Sequence, residues 1–299
     1  MDWDDLRFFL AVARQESISA AGRTLKCDAA TVGRRIARFE EGLGIKLFVK
    51  SSHGYLPTEA GRRLLPHAEV AEQAMASAQE EISGTADGLS GQVRIAAPDG
   101  CANYILPQVC AAIGDANPGL EIQILALPRI VNLSKREADF AIAVSRPTGG
   151  RLTVQKLCDY HLHLAADRDY LARHPPLRSR ADLGGHRMIG YIPDMIFDHE
   201  LDYLAETGAK TVALASNSMA VQMQLLRSGA GLGIAHDFAL PACPGVTRIL
   251  TAEVTLRRTF WLIRHADDRR SNRLSRLGEA LSQGMRTEVA RLEMLAAEQ

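Results

Sequence analysis

The apolar positions of the first sixty residues recur with a helical period. Trp3, Leu6, Phe9, Leu10 and Ala13 fall at helical spacing and predict one buried stripe on a first helix, with Asp2 as its N-cap and Asp5 in the capping-box position. Ser19 is placed to cap a short second helix carrying Ala20, Ala21 and Leu25, small enough for another helix to pack close. Asp28 is placed to cap a third, from about Ala29 to Glu41, and the close succession of the two fits a helix-turn-helix. On that third helix Val32, Ile36, Phe39 and Leu43 share one face, while Ala30, Thr31, Arg34, Arg35 and Arg38 fall opposite. Gly42 and Gly44 are expected to end it. Residues 45–49 and 55–56 then read as a hairpin whose tip holds Lys50, Ser51, Ser52, His53 and Gly54.

From Thr58, a helix cap, to about Ser83 the residues Leu64, Ala68, Ala71, Met75, Ala78 and Ile82 repeat at alternating steps of four and three, with Pro66 inside. This stripe reads either as packing against the helix's own domain or as a seam between two copies. The glycine-rich stretch 84–91 reads as a hinge. Beyond it the period changes to alternating strands and helices: strands near 93–97, 121–127 and 138–144, a helix over 103–114, then strands near 162–166, 212–215, 232–235 and 260–263, and a closing helix from about Asn272. Two α/β lobes are expected, with crossovers near Ser145-Arg146-Pro147 and near 263–267.

Length and charge sharpen this. A chain of 299 residues exceeds most single cores, and 46% apolar with 23% charged residues is ordinary for a soluble globular protein. No run is long and apolar enough for a membrane span, and the acidic start Asp2-Trp3-Asp4-Asp5 is unlike an export signal, so a cytoplasmic location is expected. Five cysteines without C-x-x-C spacing point to reduced, buried thiols. The net charge is zero, yet between Arg23 and Lys50 seven basic residues stand against three acidic ones, a local +4. Such a basic face suits phosphate. The arginine-bearing side of the third helix has two readings, a solvated polar face or a surface for the major groove; there Ala30 and Thr31 allow close approach and arginine can fork onto guanine. Lys50 and His53 of the wing would lie against the backbone.

The run Leu6-Arg7-Phe8-Phe9, Ala20-Ala21, Leu25, Val32, Ile36, Phe39-Glu40, Leu43-Gly44, Leu47-Phe48 and Thr58-Glu59-Ala60-Gly61 resembles the DNA-binding domain of LysR-type transcription regulators. Two positions depart: the family usually has Gln where Ala29 stands and Ser where Gly33 stands; Lys50 and His53 also replace frequent arginines. The segment 132–142 is similar to a recurrent family stretch, and the resemblance covers nearly the whole chain, most weakly between about Met195 and Ala209. It implies a mixed α+β and α/β protein. The expected arrangement is a winged helix-turn-helix at 1–57, a linker and dimerisation helix with hinge at 58–91, and a two-lobed, periplasmic-binding-protein-like effector domain at 92–299. Lobe I is expected at about 92–161 and 267–299, lobe II at about 162–266. The implied partners are operator DNA contacted through Ser19, Ala30, Thr31, Arg34, Arg35, Arg38, Lys50 and His53, a second copy in a dimer or tetramer, RNA polymerase, and a small-molecule effector, with no cofactor or metal.

Ligands of open α/β sheets sit beyond the carboxyl ends of strands. That rule selects Asp99, Cys101, Ser145, Asn217, Ser218 and His236 as effector-contacting candidates. Ser216, Asn217 and Ser218 precede a helix, where N–H groups either are capped or hold an anion. The family often has Ser or Thr near Asp99, and a carboxylate there disfavours an anionic effector group close by. Catalytic readings are thin. Gly229-Ala230-Gly231-Leu232-Gly233 lacks dinucleotide-site order, His161 and His163 give two ligands without a third, and no G-x-S-x-G element occurs. Three functions stay in view: a ligand-responsive regulator, a solute carrier and an enzyme.

Overall fold

The computed structural model describes residues 3–51, 54–82, 89–126, 138–147, 149, 151–209, 211–266, 268 and 271–298. The chain divides into two compact units, 1–87 and 88–299. Asp2, His53 and most of the expected hinge lie outside the described residues.

The first unit contains α1 (Trp3–Gln15), α2 (Ile18–Leu25), α3 (Ala29–Leu43), a hairpin of β1 (Phe48–Ser51) and β2 (Gly54–Pro57), and α4 (Glu59–Ile82). Phe9 anchors its core, 6.5 Å edge-on to Phe39 and 5.3 Å from Phe48, with Val12, Ala21, Val32, Ile36 and Leu47 buried around it. Ser17, not Ser19, caps α2: its hydroxyl accepts from the Ala20 N–H at 3.3 Å. The helix starts early because Ile18 turns into the core, which leaves Ser19 exposed in the first turn. Gly42 lies inside α3, and Gly44 alone ends it, with φ +66°. The buried stripe of α3 stops at Phe39, since Leu43 is 40% exposed. Lys50 pairs with Tyr55 inside the hairpin instead of forming its tip.

The wing is fastened to the α1–α2 turn by the Tyr55 N–H donating to the Glu16 carbonyl at 2.8 Å. Gly54 has φ +121°, and a Cβ there would collide with that same carbonyl oxygen. Gly54→Ala is therefore expected to cost about 1–3 kcal/mol, read by urea unfolding, and to weaken DNA binding by displacing the wing. The α4 stripe divides between a packed and an open half. Ala68 is buried in the first unit's core and Leu64 packs beside it, whereas Met75 and Ala78 are exposed. A 2.6 Å ion pair between Arg14 and Glu72 ties α4 to α1.

In the second unit, β3 (Gly91–Ala97), β4 (Leu120–Ala126) and β5 (Phe140–Ala143) are parallel and carry α5 (Asp99–Tyr104) and α6 (Leu106–Ala116). The expected helix over 103–114 is broken at Ile105, because Pro107 suits the first turn of a new helix. The long antiparallel pair β6 (Leu152–Asp167) and β11 (Thr255–His265) runs from one lobe into the other, with a register shift at Phe260/Trp261. The other lobe adds α7 (Arg168–Arg173), β7 (Met188–Gly190), α8 (Tyr203–Thr207), β8 (Leu214–Ala215), α9 (Met219–Arg227), β9 (Leu232–His236) and β10 (Val246–Arg248). The strand order is β4-β3-β5-β11-β6-β9-β7-β8, with β10 also on β6. The closing helix α10 (Asn272–Ala297) buries Leu274, Leu277, Leu281, Met285, Val289 and Leu292 at helical spacing. It packs on α6 and on the 3₁₀ segment Asp237–Ala242, so it touches both lobes. Among the described residues no helix is long and apolar enough to cross a membrane.

Candidate functional site

The exposed face of α3 is organised from its N-cap. One Asp28 carboxylate oxygen accepts from the Thr31 N–H at 2.7 Å and the other from the Thr31 hydroxyl at 2.8 Å. Thr31 Oγ1 in turn accepts from an Arg34 Nη at 3.1 Å, which aims the guanidinium outward beside exposed Ala30. Hydrogen bonds from the Thr31 hydroxyl and N–H hold the Asp28 carboxyl below the usual range. The other two arginines lean on α1: Arg35 lies over the Phe8 ring at 5.5 Å and 3.9 Å from Asp4, and Arg38 donates to Asp5 at 3.2 Å. Ser19 and Lys50 are exposed. A residue that pattern reading missed, Glu40, is 6% exposed and accepts from the N–H groups of Leu47 (2.8 Å) and Phe48 (3.1 Å) and from Lys46 Nζ (2.7 Å), tying α3 to the wing.

In the second unit, Asp99, Cys101, Asn217 and His236 meet around an inter-lobe cavity of about 30 Å³, walled by Tyr160 and Phe260. Ser145 and Ser218 flank it, each bonded to a carboxylate: Ser145 donates to Asp198, and Ser218 Oγ donates to Asp99 at 2.9 Å. Asp99 also accepts from the Ala220 N–H at 2.9 Å and from Asn103 Nδ2 at 3.0 Å. Of the two readings of the α9 N-terminus, capping holds: Ser218 caps it, and the chain's own Asp99 carboxylate takes the place an anion would fill. His236 is 5% exposed; its Nε2 lies 3.3 Å from the Tyr203 hydroxyl, and its Nδ1 has no partner among the described residues. Burial holds its pKa down at about 3, so the ring is neutral. Burial also pushes the thiol of Cys101 well up, that of Cys110 up to about 11 and that of Cys158 up to about 12, which keeps all three out of the reactive thiolate form.

A second chamber, of about 210 Å³, lies inside the lobe of β7 and β9, lined by Ile189, Tyr191, Ile196, Tyr203, Val212 and Ile234 among others. Pattern reading missed it, because part of its wall comes from the stretch of irregular turns before α8. His161 and His163 do not converge on a shared ligand: Glu293 takes the first at 3.0 Å and Asp237 the second at 2.8 Å. His163 is buried, and Asp237 is also paired with Arg248 at 3.2 Å.

Two family models match the chain. Residues 3–62 match "Bacterial regulatory helix-turn-helix protein, lysR family", and residues 86–286 match "LysR substrate binding domain". The Mau operon transcriptional activator of Paracoccus denitrificans is 27% identical over 263 residues, covering 88% of this chain and 89% of that one. The HTH-type transcriptional regulator PtxR of Pseudomonas aeruginosa is 26% identical over 243 residues, covering 80% and 77%. A full-length OxyR variant from Pseudomonas aeruginosa shares the fold with TM-score 0.70 at 18% identity, covering 96% of this chain and 95% of that one. With both family domains matched in order, along most of its length, the chain belongs to the LysR family of transcription regulators, which bind DNA through the helix-turn-helix and respond to a small-molecule effector.

Proposed function

We propose that α3 enters the major groove of operator DNA with Arg34 as its principal base-reading side chain. The observation that carries this is the Asp28–Thr31–Arg34 chain of hydrogen bonds, which presents an oriented guanidinium beside the small Ala30 while the opposite face of the helix is buried. Arg35 and Arg38, drawn toward the acids of α1, serve the flanking phosphates, as do Ser19 of α2 and Lys50 of the wing, with His53 as a further wing contact. The open half of α4, with Val70, Met75 and Ala78 exposed, pairs two copies, and dimers associate into tetramers. Effector binding at the cavity of Asp99, Cys101, Asn217 and His236, flanked by Ser145 and Ser218, changes lobe closure and thereby the spacing or bend of paired half-sites. The protein acts in the cytoplasm, contacts RNA polymerase at the promoter and catalyses no reaction.

Salt-titrated binding to the DNA flanking its own gene tests this. Arg34→Ala is expected to lower affinity for that DNA by about 1–3 kcal/mol while changing affinity for unrelated DNA little. Lys50→Ala is expected to weaken both alike and to reduce the salt slope by about one. An Arg34→Ala protein that still prefers its own flanking DNA as strongly as the wild type contradicts the assignment.

A further inference from the structure

We propose that the chamber inside the second lobe, between β7, β9, α8 and α9, which shares Tyr191 and Leu201 with the inter-lobe cavity, takes the ring of the effector bound there, and that this effector is an uncharged, single-ring organic molecule. The ligand class rests on the effector-responsive reading above and narrows it. Size comes first: a space of about 210 Å³ holds one six-membered ring with a small substituent, since an apolar cavity of about 150 Å³ already admits benzene. The lining is mainly apolar, and its buried polar side chains are already engaged. Gln222 Nε2 donates to the Ser216 carbonyl at 2.9 Å, and Thr207 Oγ1 accepts from the Ala209 N–H at 3.3 Å.

Charge comes second. Among the described residues, neither the chamber nor the inter-lobe cavity has a lysine or arginine in its wall; the charged residues there are Asp202 and Asp99. The helix end that could hold an anion is occupied by Asp99, through Ser218 and Ala220. The guanidinium behind the chamber, Arg258, lies 6.0 Å from the Tyr203 ring and is consumed by Glu200, at 2.6 Å, and Glu206. It offers nothing to an anion, and Asp202, exposed to water, offers a cation only a screened partner. A charged ring entering here loses hydration without gaining a buried, unengaged partner, whereas a neutral one gains apolar contact.

Connection to the rest of the domain comes third. Tyr191 and Leu201 wall both spaces, and Tyr203 joins the chamber to His236 of the inter-lobe cavity through its hydroxyl. The segment that supplies Pro193, Ile196 and Leu201 to the chamber also carries Asp198, which accepts from Ser145 of the other lobe. A ring that spreads this segment therefore pulls on a contact between lobes.

Three probes of one size and different charge test it: benzyl alcohol, benzoate and benzylammonium, titrated calorimetrically into the full-length protein. Benzyl alcohol is expected to bind with a Kd of about 1 mM or tighter, and the charged probes at least about tenfold more weakly. Val212→Phe and Ile196→Phe, which fill the chamber from two sides, are each expected to weaken benzyl alcohol at least about tenfold. Asp99→Ser, which frees the α9 N-terminus, is expected to gain benzoate binding. Benzoate or benzylammonium binding the wild type as tightly as benzyl alcohol overturns the proposal. So does the absence of benzyl alcohol binding up to about 30 mM, or unchanged affinity in both filled variants. The titration contains no DNA, so a protein that binds the neutral ring yet ignores its flanking DNA contradicts the regulatory assignment above and not this site.

Discussion

Replacing Glu40 with alanine is expected to destabilise the first unit by about 3 kcal/mol, because two buried backbone donors, on Leu47 and Phe48, lose their acceptor at once. DNA binding should fall with it, since the same carboxylate fixes the wing to the end of α3. Burial pushes the Glu40 carboxyl up, but hydrogen bonds from Lys46, Leu47 and Phe48 together outweigh it and leave the pKa below its ordinary value. A carboxylate depressed in the folded state contributes stability that is fully present above its unfolded pKa and is lost as pH falls through the lower folded value. Glu40→Gln, which keeps an acceptor oxygen but cannot titrate, should cost less at neutral pH and lack this component of acid sensitivity. Urea unfolding at neutral and acidic pH measures both. The chain's two tryptophans, Trp3 and Trp261, fall in different units, so a Trp261→Phe background reports the first unit alone.

Tyr160→Ala is expected to cost the second unit about 3–5 kcal/mol. The ring is 1% exposed, stacks on Phe260 at 4.2 Å and lies 5.5 Å edge-on to Phe238. It sits on β6 where that strand passes between the lobes, so truncation opens the inter-lobe cavity as well as the core. Tyr160→Phe keeps the packed rings and should change stability far less. Trp261 fluorescence in a Trp3→Phe background follows the transition. Equal midpoints for the alanine variant and the wild type would remove the aromatic cluster from any account of how the lobes are held.

Where apolar spacing and a capping side chain coincide, sequence alone locates an element closely: Asp28 opens α3, Thr58 opens α4, and α10 begins at Asn272. Spacing fails where burial is partial. The first half of β6 includes Gln155, Lys156 and Asp159, with Leu157 its buried apolar residue before Tyr160, so a strand of 16 residues showed only its apolar end. The site is less legible than the fold for a related reason. A helical wheel places Arg34, Arg35 and Arg38 together, but only the position of α1 separates the outward Arg34 from the two that lean on Asp4 and Asp5. Asp99 could be read as unfriendly to anions, whereas its grip on the N-terminus of α9, 119 residues away, belongs to tertiary structure. The second-lobe chamber left no periodic signature, since 3₁₀ turns and short strands build much of its wall.

The most direct test of DNA recognition by α3 is selection of genomic fragments by the purified full-length protein beside its Arg34→Ala variant, at fixed salt and with sequencing of the bound pool. The account predicts that the wild type enriches a small set of fragments sharing paired half-sites spaced by whole helical turns, about 10 bp or a multiple, and that the variant loses this enrichment. Wild-type enrichment that the variant reproduces fragment for fragment, or a wild-type pool no different from the input, would contradict it.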